Sequence, residues 1–249
     1  MKKTLQFCGI SALVLVISAA ASFGLLQLIR QKNVEETGNV LGVTWYKETE
    51  KEFTISTAEE LMEFAELSNF YSFSGQTIKL GADIVLNEGN AEDWKEQAPA
   101  KRWKTISEFA GTFDGQGHSI SGIYVDTTAT YAGLFGAIGT EALVENLILK
   151  NSYIGSTGDR VGAVAGSMEG SIDKIYAEPS VTVKGDTTVG GFVGFFGAGY
   201  TESISNCWYA GKIYSTDANV GGIVGDIYRG NKTITNCLFT GELYNAKGA

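Results

Sequence analysis

Two short motifs recur along this chain with one period, and that period constrains the fold more than any other feature. The first motif is a glycine-bracketed apolar run: Tyr131-Ala-Gly-Leu-Phe-Gly136, Val161-Gly-Ala-Val-Ala-Gly166, Val189-Gly-Gly-Phe-Val-Gly194 and Val220-Gly-Gly-Ile-Val-Gly225. Its final glycines lie 30, 28 and 31 residues apart. The second motif runs out of phase with it: Val144-Glu-Asn-Leu147, Ile172-Asp-Lys-Ile175, Ile204-Ser-Asn-Cys207 and Ile234-Thr-Asn-Cys237, spaced by 28, 32 and 30. Two independent motifs sharing a period of about 30 residues define a repeat architecture.

Each unit holds short runs of Val, Ile, Leu, Tyr and Thr separated by Gly, Asn, Asp and Ser, which reads as two or three short strands. The expected fold is therefore all-β, a parallel β-helix in which each coil stacks on the last at the strand spacing of about 4.8 Å. Equivalent residues then form ladders. Asn146, Asn206 and Asn236, with Lys174 as the exception, mark one corner where Asn tolerates a left-handed backbone. Tyr214 and Tyr244 fall in register, as do Tyr209 and Phe239, and Leu134, Val164, Phe192 and Ile223 form one inward rank. Composition fits. The 32 glycines include Gly133, Gly136, Gly162, Gly166, Gly190, Gly191, Gly194, Gly221, Gly222 and Gly225 of the repeat, expected at corners that need positive φ or close backbone approach. The 2 prolines suit strands that need their N–H groups.

The amino-terminal part differs. Lys2 and Lys3 precede an uncharged stretch from Leu5 to Ile29, with Ala19-Ala20-Ala21 as a cleavage site. Residues 1–30 read as a cleaved signal or an uncleaved anchor, and both place the remaining chain outside the cytoplasm. Residues 31–50 read as a polar linker. Residues 51–110 read as an amino-terminal cap, with a helix starting near Thr57, a capping box Ser56-Thr-Ala-Glu59 and an apolar face of Ala58, Leu61, Met62 and Ala65. Residues 111–249 hold the repeats, and the next glycine run is due near position 250, so the chain is expected to be truncated in mid-coil.

The Val-Gly-Gly runs resemble the GLUG-motif repeats of bacterial surface proteins. The segments Phe53-Thr-Ile-Ser-Thr-Ala-Glu-Glu-Leu61 and Gly111-Thr-Phe-Asp-Gly-Gln-Gly-His-Ser-Ile-Ser-Gly122 resemble those that lead into such repeats. The resemblance spans about residues 45–249. It implies a right-handed parallel β-helix displayed on bacterial cells, in adhesins or as an accessory region of large surface proteins such as IgA-cleaving peptidases. No His-Glu-x-x-His zinc motif is present, so peptidase activity does not carry over.

Candidate chemistry is sparse. The net charge of −9 disfavours nucleic acid, and one histidine excludes a site needing two imidazoles. No cofactor is expected. Asp159, Asp186 and Asp217 flank the glycine runs and read as turn residues, with a bridging cation or a glycosidase-like carboxylate pair, Asp186 and Asp217, as the alternatives. His118, beside glycines, reads as a corner residue without an acid or base in register. Cys207 and Cys237 occupy one position in successive coils, either as stacked thiols or as a disulfide. Tyr176, Tyr200, Trp208 and Tyr228 are surface aromatics available for sugars or proteins. The expected function is non-catalytic adhesion or display toward a cell-surface glycan or protein, with membrane contact through the amino-terminal segment if it is uncleaved. The alternatives are a carbohydrate-active enzyme and an accessory module of a larger surface peptidase.

Overall fold

The structure is a computed structural model that describes residue 39 and residues 41–197, 202–216 and 219–246. The export segment therefore lies outside the described residues, as do Tyr200 and Asp217. Two compact units divide the chain at residue 50. In the first, the Asn39 side chain donates to the carbonyls of Val43 and Tyr46 at 2.6 and 2.7 Å and accepts from the Val43 N–H at 3.0 Å. Val43 and Tyr46 are buried, so this end of the expected polar linker is an ordered turn.

The second unit is a parallel β-helix, because each short strand finds its partner one period away. Three long sheets run along it, visited in the same order in each full coil, and a short two-stranded sheet pairs Thr188–Gly190 with Asn219–Gly221. The first contains Glu52–Ile55, Thr77–Leu80, Thr112–Asp114, Leu143–Lys150, Ser171–Ala177, Ser203–Ser205 and Thr233–Thr235. The second stacks Tyr124–Thr127, Ser152–Ser156, Val181–Gly185, Lys212–Ser215 and Glu242–Asn245. The third stacks Ile106–Phe109, Phe135–Ile138, Ala165–Met168, Val193–Phe196 and Val224–Ile227. All their pairings are parallel and in register. Phe53, Ile78, Phe113, Val144, Ile172, Ile204 and Ile234 form one continuous inward row.

The Asn motif works as a corner inside a strand. Asn146, Lys174, Asn206 and Asn236 all have positive φ, between 51 and 54°. A residue in this conformation breaks the two-residue alternation, so Val144 and Leu147 both face inward although they are three positions apart. The Asn side chains also join the coils: Asn236 donates to the Asn206 side chain at 2.6 Å and Asn206 to Asp173 at 2.7 Å.

Of the two needs expected of the glycine runs, positive φ is absent and close backbone approach is present. Gly133, Gly136, Gly162, Gly166, Gly190, Gly191, Gly194, Gly221, Gly222 and Gly225 are all absent from the positive-φ residues. The last glycine of each run, Gly136, Gly166, Gly194 or Gly225, lies within a third-sheet strand rather than at its end. What the motif needs is closeness. A Cβ on Gly194 would lie 2.5 Å from the Val161 nitrogen, and one on Gly166 would lie 2.7 Å from the Tyr131 Cα. The segment that opens each run crosses directly over the strand that closes its neighbour, with backbone against backbone. Gly136 is looser, its nearest neighbour being a Thr105 methyl at 3.3 Å.

Helix α1, Ala58–Leu67, covers the amino-terminal end of the coil. Its capping box is Thr57 with Glu60, one residue later than expected: the Glu60 N–H donates to the Thr57 hydroxyl at 3.2 Å, and the Glu60 carboxylate accepts from the Thr57 N–H at 3.1 Å. Both Ser/Thr-x-x-Glu registers exist in the sequence, and the later one turns Leu61, Phe64, Ala65 and Leu67 inward while Met62 stays exposed. Phe64 meets the inward rings of Phe73, Phe109 and Phe113 at centroid distances of 4.8, 5.9 and 5.9 Å. The helix thus fills the first coil, where later coils have second- and third-sheet strands.

Candidate binding faces

The carboxylates singled out by the sequence serve their own turns. Asp159 accepts from the Arg160 N–H at 2.9 Å and from the Thr187 hydroxyl at 2.5 Å. Burial raises its pKa, but these bonds, with one from Thr188 and the Arg160 charge, outweigh that and hold it below the usual carboxylate value. Asp186 accepts from the Thr216 hydroxyl at 3.1 Å. Val161 pairs with Val189, which places Thr187, not Asp186, level with Asp159. Arg160 lies between the rings of Tyr131 and Phe195, at 5.4 and 4.0 Å, and ties successive coils together. Among the described residues, no three His, Cys, Asp or Glu side chains are grouped to hold a metal.

His118 does have an acid in register. Its Nδ1 lies 3.3 Å from Asp83 Oδ1, which also accepts from the Ser119 N–H at 2.8 Å. The sequence reading missed this carboxylate because Asp83 belongs to the preceding, aperiodic coil. Cys207 and Cys237 stack as free thiols, each donating to a carbonyl of its own strand, Ser205 and Thr235. Burial pushes the Cys207 thiol up to about 12, so it is inert at neutral pH.

Two outward faces present chemistry. On the first sheet, Ile148, Tyr176, Trp208 and Leu238 form an in-register row, with Tyr176 and Trp208 rings 4.7 Å apart. Trp208 and Leu238 are 43% and 51% exposed, so an apolar stripe faces solvent. The Trp208 indole N–H donates to the Thr240 hydroxyl at 2.7 Å and fixes the ring.

On the second sheet a groove of about 380 Å³ is walled by residues 86–105, which take a longer path here than residues 122–134 of the next coil. This wall is pinned. Asn87 donates to the Gly122 and Lys101 carbonyls at 2.9 and 2.7 Å. Asn151 donates to the Gly89 carbonyl at 2.8 Å and accepts from the Ala91 N–H at 2.9 Å. Trp94 packs edge-on against Tyr124 at 6.0 Å, and Tyr124 stacks on Tyr153 at 5.8 Å. Glu92, from the wall, forms an ion pair with Lys212 across the groove. Tyr153, Lys184, Lys212 and Tyr214 line its floor. No repeat signal marks this site, since its wall comes from a coil that breaks the period. The ladder positions of Tyr153, Lys184 and Lys212 were readable, but not what would stand over them.

Fold and faces together define a parallel β-helix with a stripe and a walled groove on its outside. No protein-family model matches the chain. Halomucin of Haloquadratum walsbyi is 41% identical over 91 residues, 36% of this chain and 1% of that protein. A protein of Evansella cellulosilytica provisionally named a Gly-rich membrane protein is 39% identical over 83 residues, 30% of this chain and 10% of that protein. The chain thus spans a small fraction of these relatives. The crystal structure of a protein from Bacteroides ovatus, provisionally named an immunoglobulin A1 protease, superposes with a TM-score of 0.56 at 19% identity, covering 82% of this chain and 71% of that one. At that identity the likeness shows the fold alone.

Proposed function

We propose that this chain is a non-catalytic, cell-surface β-helical segment of the GLUG-repeat type, exported through its amino-terminal residues, that displays a binding face away from the membrane. The observation that carries this reading is the outward row Ile148, Tyr176, Trp208 and Leu238, half-buried at its first two members and exposed at Trp208 and Leu238, an apolar stripe laid along the coil axis. The partial likeness to halomucin and to a Gly-rich membrane protein supports a surface setting. Adhesion or display toward a neighbouring glycan or protein needs no catalytic group, and Asp159 and Asp186 are engaged by neighbouring donors. Among the described residues no helix is long and apolar enough to cross a membrane; the segment assigned to export lies outside them.

The test is protease accessibility on intact cells that produce the full chain. Surface display predicts that added protease removes the β-helix epitope while a cytoplasmic marker stays intact. Protection of the epitope until the cells are lysed would overturn the reading. Trp208→Ala is expected to weaken cell attachment without lowering the melting temperature.

A further inference from the structure

The walled groove of the second sheet holds polar groups that the fold does not use. Tyr153 is 8% exposed and Thr182, level with it one coil on, is 9% exposed. Their hydroxyls have no hydrogen-bond partner among the described residues and, since no enclosed side-chain polar atom there lacks a partner, both oxygens reach the groove solvent. Two hydroxyls side by side on one groove floor, each on a side chain otherwise packed away, are fixed donors and acceptors open to a ligand. The Tyr153 ring lies over Gly155, where a Cβ would come within 2.7 Å of the ring. Gly155 thus lets the ring lie down as a floor. Lys184 and Lys95 also line the groove, and among the described residues neither forms an ion pair, although the Lys95 charge acts on Glu92. Lys212 is paired with Glu92, and Glu242, one coil on, is engaged by the Tyr244 hydroxyl. Asp126, level with Gly155, lies 3.9 Å from Arg102.

The groove is also open along the coil axis. It continues past Lys184 and Tyr214 into a second depression of about 660 Å³ lined by Ser215, Tyr244 and Asn245, where Tyr214 and Tyr244 stack at 4.7 Å with rings 5° apart. A trough that runs across successive coils with a ladder repeat suits a linear polymer. In a chain of net charge −9, these cations make a local attraction rather than a general one, which disfavours a nucleic-acid backbone. In repeat folds, chain that departs from the period commonly builds the binding face.

We propose that this groove binds an anionic polysaccharide, with Lys95, Lys184 and Lys212 meeting its acidic groups and the Tyr153 and Thr182 hydroxyls meeting its sugar hydroxyls. The inference rests on the surface reading only in that such a polymer is met outside the cytoplasm. Binding in vitro and display on cells are measured separately, so either can fail alone.

The test is calorimetric titration of the full chain with polygalacturonate oligosaccharides, the same oligosaccharides methyl-esterified, a sulfated heparin oligosaccharide, and polyglutamate. Binding to polygalacturonate or to the sulfated oligosaccharide, and not to the esterified form, is expected; which of the two is tighter identifies the source of the acid. Lys184→Ala should weaken binding about tenfold, with Lys184→Arg restoring most of it. Tyr153→Phe should weaken it about threefold with the melting temperature unchanged. Glu92→Gln should strengthen it, because it frees Lys212, whereas a merely structural Glu92–Lys212 pair would leave affinity unchanged or lower it. Equal binding of the esterified polymer, unchanged affinity in Lys184→Ala, tighter binding of polyglutamate than of either glycan, or no binding at all would each overturn the proposal.

Discussion

An inner coil and the last described coil carry apolar residues at the same positions and bury them differently. Val144, Ile172 and Ile204 of the first-sheet inward row are fully buried, while Ile234, next in the row, is 41% exposed. Ile154, Val183 and Ile213 are buried and Leu243 is 37% exposed. Ile138, Met168 and Phe196 are at most 1% exposed and Ile227 is 49% exposed. Side-chain chemistry and strand geometry are constant along these rows. What changes is the number of neighbouring coils, so burial in a solenoid comes from the coil on either side. The other end makes the same point, because α1 supplies with Phe64 what a preceding coil would otherwise supply.

The sharpest way to break the comparison is to truncate equivalent residues. Measured on a chain that ends at residue 249, Ile204→Ala should cost about 3–4 kcal/mol in denaturant unfolding and Ile234→Ala less than about 1 kcal/mol, because only the first leaves an enclosed cavity; a following coil should raise the second value toward the first. Equal losses would mean that burial does not set the difference. The cysteines report the same contrast kinetically. In the folded chain of residues 1–249 Cys237 should be alkylated at least about 100-fold faster than Cys207, whose thiolate is suppressed by burial, as mapped by mass spectrometry of iodoacetamide adducts. A third comparison concerns backbone contact between coils. Gly194→Ala should cost about 2–3 kcal/mol and Gly136→Ala about 1 kcal/mol or less, since only Gly194 is pressed against a neighbouring backbone. The smallest effect is a gain. Lys174 has the positive φ of the Asn corner without an Asn side chain, and its ion pair with Asp173 at 3.1 Å is largely exposed. Lys174→Asn should therefore stabilise the chain by about 0.5–1 kcal/mol in the same unfolding assay.

The coil was legible before any coordinates because its two signals are local and repeated. Val144-Glu-Asn-Leu147 encodes two inward residues separated by a left-handed corner, and three more copies give the period. The glycine run was legible as a structural element but not in its mechanism. Lack of a Cβ is equally useful for positive φ and for close approach, and only the crossing of adjacent coils shows that close approach is in force. The helix was placed within a residue or two, yet its cap register was ambiguous until Phe64 chose a side.

The walled groove was not legible at all. Glu92 and Lys212 are 120 positions apart, and no periodicity relates them. Sequence alone determined the period, the strand class, the inward rows and the stacked pairs such as Tyr214 with Tyr244, because each follows from side-chain alternation and repetition along a chain of fixed rise. Tertiary structure alone decided how residues 86–105 leave the period and are pinned by Asn87 and Asn151 over the second sheet, with the Tyr153 and Thr182 hydroxyls left facing the groove. Ladders are nearest-neighbour objects and can be read locally. A wall standing over a sheet depends on contacts distant in sequence, which exist only once the coils have stacked.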